Sequence, residues 1–135
     1  LDGWSLMSWE LCGSTPRLAM RSFKDSDSPI LGVAARIALT HHERYDGSGY
    51  PQGTKGEEIP LVGRVTALAD VFDVLLSDRP YKKAWELDRV IEMIRSESGK
   101  HFDPLCVEAL FRDWDAVLEI KKRFRDGFSF FIKNV

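Results

Sequence analysis

Two adjacent histidines, His41 and His42, stand directly ahead of a glycine-rich stretch in the string ALTHHERYDGSGYPQG. Neutral imidazole is a ligand for zinc, iron and manganese. In a regular helix neighbouring side chains point about 100° apart, so one ion rarely takes both. At a helix end, or beside a cluster of two or more ions, both become usable. By itself the pair reads more readily as one packed and one solvated histidine. A second candidate lies in ALADVFDVLLS, where Asp70 and Asp73 sit three residues apart on one side of an apolar helix. An aspartate in mid-helix costs roughly 0.5 kcal/mol against alanine. Two of them ask for a reason, either a solvated stripe or hard-oxygen ligation of a cation.

The loop DGSGYPQGTKG follows the histidines. Gly47 and Gly49 permit positive φ and close approach of backbone N–H groups to a ligand. Tyr50 offers a stacking face and a hydroxyl, and Pro51 fixes the chain direction after it. A generic tight turn has the same composition. In SDRPYKK, Arg79 and Lys82 come directly after the Asp70/Asp73 helix, where they either hold phosphate oxygens or complement the helix dipole. The run KKRFR at 121–125 reads as a solvated helix end. Nothing orients a nucleophile near Cys12 or Cys106, and His101 reads as a packing or capping residue. P-loop, dinucleotide-binding and zinc-finger signatures are absent.

The elements that must position these residues are helical. Ser28 and Pro29 read as N-cap and first residue of a helix ending near Glu43–Tyr45, along which Ile30, Val33, Ala34, Ile37, Ala38 and His41 repeat at helical spacing. The loop from Asp46 to Ile59 carries four glycines and one proline. Pro60 opens a second helix with Val65, Leu68, Ala69, Phe72, Leu75 and Leu76 inward. A third is expected from Ala84 to Ser98, capped by Gly99, with Leu87, Val90, Ile91 and Ile94 inward. Asp103 and Pro104 begin a fourth, whose apolar face is Val107, Leu110 and Phe111. A helical stretch over Asp113–Phe124 precedes the aromatic tail FSFFIKNV. No period-2 strand is evident, so the fold class is all-α.

Composition sets outer bounds. The chain of 135 residues suits one domain, and its 44% hydrophobic and 30% charged residues are those of a soluble globule. A net charge of −2 gives no global attraction to DNA or an anionic membrane, so an anionic ligand needs a local cluster. No apolar stretch spans a bilayer, no signal peptide is evident, and two cysteines indicate no disulfide framework; a cytoplasmic location is expected.

In order and spacing, HHERYDGSGYP, EEIPLVGRVTALADVFDVLLSDRPYKKA and GKHFDP resemble the HD-GYP family of bacterial phosphodiesterases, which open cyclic di-GMP. The likeness covers roughly residues 28–126. It implies an HD-superfamily helical domain holding two or three divalent metals, iron or manganese. By the same resemblance His41, His42 and Asp70 are metal ligands and Asp73 supports the site. Gly49, Tyr50 and Pro51 form the name-giving loop beside the nucleotide, and Arg79 and Lys82 hold its phosphates. The partner implied is cyclic di-GMP or a related cyclic dinucleotide.

The family's His-Asp pair lies upstream of the two adjacent histidines. Here no His-Asp dipeptide occurs and no histidine precedes His41. The expectation is an N-terminally incomplete domain: 1–27 as an atypical segment, 28–126 as the C-terminal part of the HD-GYP-like domain, and 127–135 as a tail. Hydrolysis by these residues alone is expected to be impaired. The alternatives are a non-catalytic module that binds a nucleotide or a protein, and an HD phosphohydrolase acting on another nucleotide. Incomplete cover over the apolar faces at Ile30–His41 and Val65–Leu76 predicts a homodimer or an aggregating monomer.

Overall fold

The structure is a computed structural model that describes residues 28–78 and 83–132, with side chains to residue 123. Its regular elements are α1 (Pro29–Thr40), a short 3-10 turn (Gly56–Glu58), α2 (Leu61–Leu76), α3 (Leu87–Ser96), α4 (Pro104–Arg112) and α5 (Trp114–Ile132). The described residues form no named strand, only an isolated bridge between Ser98 and Phe102. The all-α expectation holds.

Helix α1 starts where Pro29 predicts, although Ser28 holds the cap position without a side-chain cap bond. It stops at Thr40, short of the expected Glu43–Tyr45. The next backbone donors are taken elsewhere. Glu43 N donates to Thr40 O at 3.0 Å, while Tyr45 N and Asp46 N donate to His101 O and Lys100 O at 3.1 and 2.8 Å. A helix cannot continue once its N–H groups serve a distant turn.

Helix α2 is the axis of the molecule. Its Leu68, Phe72 and Leu75 join Val90 and Ile94 of α3, Phe102, and Cys106 and Val107 of α4 in one buried core. Each fully buried aliphatic or aromatic side chain there contributes on the order of 2 kcal/mol. Trp114 of α5 meets Phe72 edge-on, with ring centroids 5.8 Å apart. On the opposite side α1 crosses α2 closely. A Cβ on Gly63 would collide with Thr40 Oγ1 and lie 2.8 Å from Thr40 Cβ, so only glycine allows this approach.

Several expected boundaries and faces are corrected. On α1, Ile30 is 78% and Val33 44% exposed while Ala34, Ile37 and Ala38 are half-buried, and Thr40 is the buried residue of that helix. On α2, Val65 is 50% exposed and Ala69 is also exposed. Helix α3 begins at Leu87, because Ala84 N is bound by Asp78 Oδ1 at 2.9 Å and Trp85 N by Leu75 O at 2.8 Å. Its C-cap is Glu97, and Gly99 lies beyond it at φ +77° in a turn closed by Phe102 O. Asp103 caps α4 as expected, accepting from Leu105 N at 2.8 Å. Helix α5 runs to Ile132, into the expected tail.

Candidate metal and nucleotide site

The end of α1 decides how the histidines are presented. His41 is the C-cap residue and His42 lies in the turn after it, so neither is bound to mid-helix divergence. Their ring centroids are 3.9 Å apart. His41 Nδ1 lies 2.7 Å from the carbonyl of Ile37. A carbonyl only accepts, so Nδ1 carries the proton and the neutral ring keeps its lone pair on Nε2. This is the second-sphere arrangement that orients a ligating imidazole. Both rings are half-buried, which differs from one packed and one solvated histidine.

Burial pushes the His42 pKa below its usual value, and neighbouring His41 adds to that, while Asp70 opposes it. Asp70 on α2 is therefore near enough to His42 for its charge to oppose that shift. Asp70 is seven residues, almost two turns, beyond Gly63, so it lies on the face of α2 that carries the close approach. The close approach of the two helices depends on Gly63, which lies outside the histidine motif.

The loop lies against the same ring. Tyr50 stacks on His42 with centroids 4.9 Å apart and planes 20° from parallel, and Tyr50 N donates to His42 O at 3.3 Å. The Tyr50–Pro51 peptide is cis. Gly47 takes positive φ (86°), but Gly49 does not; it is required for space. A Cβ on Gly49 would strike Arg44 N and lie 2.6 Å from Glu43 Cα. The near limb is closed by Asp46, whose Oδ1 accepts from Ser48 N and Oγ at 2.9 and 2.6 Å. The Ser48 hydroxyl is the main cause of the lowered Asp46 pKa.

Two contributors escaped the sequence reading. Glu43 is 2% exposed and accepts from Gln52 N at 2.7 Å and Thr54 N at 3.0 Å. The available clue was the loop's surplus of backbone donors, which need an acceptor when drawn inward. The second is the turn at 97–102. Arg44 pairs with Glu97 at 3.0 Å, and His101, stacked on Phe102, supplies the carbonyl for Tyr45 N. The loop is thus anchored on a turn more than fifty residues away in sequence.

Asp73 sits one turn beyond Asp70 and faces α5, where Lys121 Nζ lies 3.4 Å from its Oδ1. Lys121 also lies 5.9 Å above the Phe72 ring, so the first residue of the expected solvated run has structural contacts. Arg79 and Lys82 lie outside the described residues. As metal donors the described residues fit only in part. The tautomer of His41 and the depressed pKa of His42 suit ligation, yet no group of three His, Cys, Asp or Glu able to hold an ion is found among the described residues. Likewise, no described helix is long and apolar enough to cross a membrane.

Comparison with known proteins adds an independent view. The family described as HD domain matches residues 24–105. The chain is 53% identical over 97 residues to the cyclic di-GMP phosphodiesterase response regulator RpfG of Xanthomonas campestris, covering 72% of this chain and 26% of that one. It is 42% identical over 118 residues to a cyclic di-GMP phosphodiesterase of Thermotoga maritima, covering 87% of this chain and 32% of that one. The crystal structure of a cyclic GMP-AMP-specific phosphodiesterase of Vibrio cholerae superposes with a TM-score of 0.57 at 27% identity, over 84% of this chain and 28% of that one. The chain thus spans a third or less of the length of these relatives.

Proposed function

The chain belongs to the HD domain family, of HD-GYP type, and on that premise we propose that it forms part of a phosphodiesterase site that hydrolyses cyclic di-GMP. The observation carrying this reading is the joint presentation of His41 and His42 at the end of α1, with Tyr50 stacked on His42 and Asp70 acting on it from α2. In this reading His41, His42 and Asp70 are ligands of a set of two or three divalent cations, iron or manganese. The remaining donors come from outside the described residues. Asp73 is proposed to support the site from one turn beyond Asp70; its exposed carboxylate pairs with Lys121 of α5 at 3.4 Å.

Divalent cations supply water activation and neutralisation of phosphoryl charge in this reaction class. The chain's own residues hold and orient. Ile37 O fixes the His41 ring. Tyr50 covers a face of His42 and its loop places Gly49, Tyr50 and Pro51 beside the nucleotide. Arg79 and Lys82, just past α2, are proposed to hold its phosphates by charge-assisted bonds. A cytoplasmic setting follows from a cytoplasmic second messenger.

The test pairs metal analysis with hydrolysis of cyclic di-GMP by the 135-residue chain and by His41→Ala, His42→Ala and Asp70→Asn variants. Bound iron or manganese that falls in each variant, together with loss of hydrolysis, supports the proposal. A wild-type chain that takes up neither metal nor nucleotide removes it. A second reading on the same histidine and loop geometry is a nucleotide-binding module without turnover. Calorimetry showing binding of cyclic di-GMP without product would establish that reading. Hydrolysis of cyclic GMP-AMP in preference to cyclic di-GMP would instead assign another nucleotide.

A further inference from the structure

In the string HHE, Glu43 looks like a third metal donor beside two histidines. Its geometry assigns it a different task. The carboxylate is buried, and each oxygen is already engaged by a separate loop amide, Oε1 by Gln52 N and Oε2 by Thr54 N. These amides bracket the limb of the loop that leaves Tyr50 and Pro51. The other limb is tied to the backbone on either side of Glu43, by Tyr50 N donating to His42 O at 3.3 Å and Gly47 N to Arg44 O at 2.8 Å, and Gly49 lies so close to Glu43 Cα and Arg44 N that no side chain fits. The Glu43 side chain thus holds the far limb while its neighbours' carbonyls hold the near one, and Tyr50 lies between the limbs, flat on His42.

We infer that Glu43 is a positioning residue, whose bonds to Gln52 N and Thr54 N hold Tyr50 face to face with His42 and set the loop for the nucleotide. A carboxylate has two acceptor oxygens and no donor, which suits two converging N–H groups. A glutamine would turn one of those oxygens into a donor facing an N–H, leaving a buried donor unmatched. Bonds to a charged acceptor are the stronger kind, and a loop whose backbone is pinned loses less entropy when it closes on a ligand. The functional half of this inference rests on the cyclic dinucleotide reading above; the positional half does not.

The experiment uses the full chain, isotopically labelled and prepared without added metal, as wild type, Glu43→Gln and Glu43→Asp. Nuclear magnetic resonance reads the amide protons of Gln52 and Thr54 and the His42 ring protons, which sense the ring current of Tyr50. Titration with cyclic di-GMP reads affinity. The expected result for Glu43→Gln is a shift of at least one loop amide, displacement of the His42 ring signals, and affinity weakened about tenfold with the helical fold intact. Glu43→Asp, which keeps both acceptors on a shorter stem, is expected to lie between Gln and wild type. Unchanged His42 signals, or changed signals with unchanged affinity, overturn the inference. So does a weaker uptake of manganese by Glu43→Gln, titrated in a separate sample, without movement of the loop amides, which would make Glu43 a ligand. Unfolding of both variants would reduce Glu43 to a purely structural role and overturn it as well. If the wild type itself binds no cyclic di-GMP, the functional proposal fails, while the His42 and amide signals still decide what Glu43 holds.

Discussion

Arg64 on α2 and Asp103, the N-cap of α4, form a 2.5 Å ion pair across 39 positions of sequence, with the Asp103 side chain only 1% exposed. The same carboxylate accepts from Leu105 N and receives the Cys106 thiol at 3.7 Å. Burial, with Asp103 beside it, pushes the Cys106 thiol pKa up. One aspartate thus caps a helix, neutralises a buried cation and sits in the core between α2 and α4.

Removing one partner of a buried pair leaves an uncompensated charge. Asp103→Ala is therefore expected to lose about 3–5 kcal/mol of stability in urea unfolding. Arg64→Met should do similar harm by stranding the carboxylate. The pair Arg64→Met with Asp103→Asn removes both charges and keeps a competent cap, so it should recover part of that loss. Arg64 Nε is already buried without a hydrogen-bond partner, which lowers the worth of the wild-type pair.

This pair also shows which features are legible in a sequence. Asp103-Pro104 announces a helix start because capping is local, and the core face of α2 is legible because its period is local too. The partner Arg64 carries no such mark. The apolar stripe of α1 is legible as a face, while what packs on it is not, since periodicity records only which side is apolar: Ile30 and Val33 are exposed, Ala34, Ile37 and Ala38 half-buried. The start of α3 failed because Asp78 and Leu75 capture the N–H groups of Ala84 and Trp85, contacts invisible to propensity. At the candidate site, type and spacing alone left His41, His42, Tyr50 and Asp70 ambiguous, and only the resemblance gave them roles; the structure adds that Tyr50 stacks on His42 beside His41. Glu43 was missed because its partners are backbone amides, which every residue but proline possesses.

The uncovered stripe makes its own prediction. Ile30, Val33, Leu61 and Val65 are all exposed on the two helices that cross at Thr40 and Gly63. A contiguous apolar surface formed by such residues would favour association of the 135-residue chain. Light scattering over a concentration series is expected to show dimers or larger species, and Ile30→Lys with Val65→Glu should shift it toward monomer. A wild type that stays monomeric across the series would dismiss the surface as an association site.

Gly49 should tolerate no side chain. A Cβ there meets backbone on Glu43 and Arg44, which cannot rotate away as a side chain end would. Gly49→Ala is expected to displace the loop, separate Tyr50 from His42 and weaken cyclic di-GMP binding by tenfold or so, about 1.4 kcal/mol. The core lies elsewhere, so the midpoint of urea unfolding should move far less than in Asp103→Ala. Equal losses in both measurements would mean that the loop is part of the stability core.

His101 gives the loop anchor a pH dependence. Burial is the main force driving its pKa down to about 4, and the Arg44 guanidinium adds to it, against the carboxylates of Glu97 and Asp46. The folded protein thus keeps this imidazole neutral, while the unfolded chain takes up a proton below about pH 6.5. A depressed histidine contributes stability that is fully present above the unfolded value and is lost as pH falls toward the folded one. Unfolding free energy should therefore decline between pH 6.5 and 4, with at most about 3 kcal/mol from this group. His101→Phe, which keeps a ring beside Phe102, should flatten that part of the profile. A slope unchanged by the substitution would assign the decline to other groups.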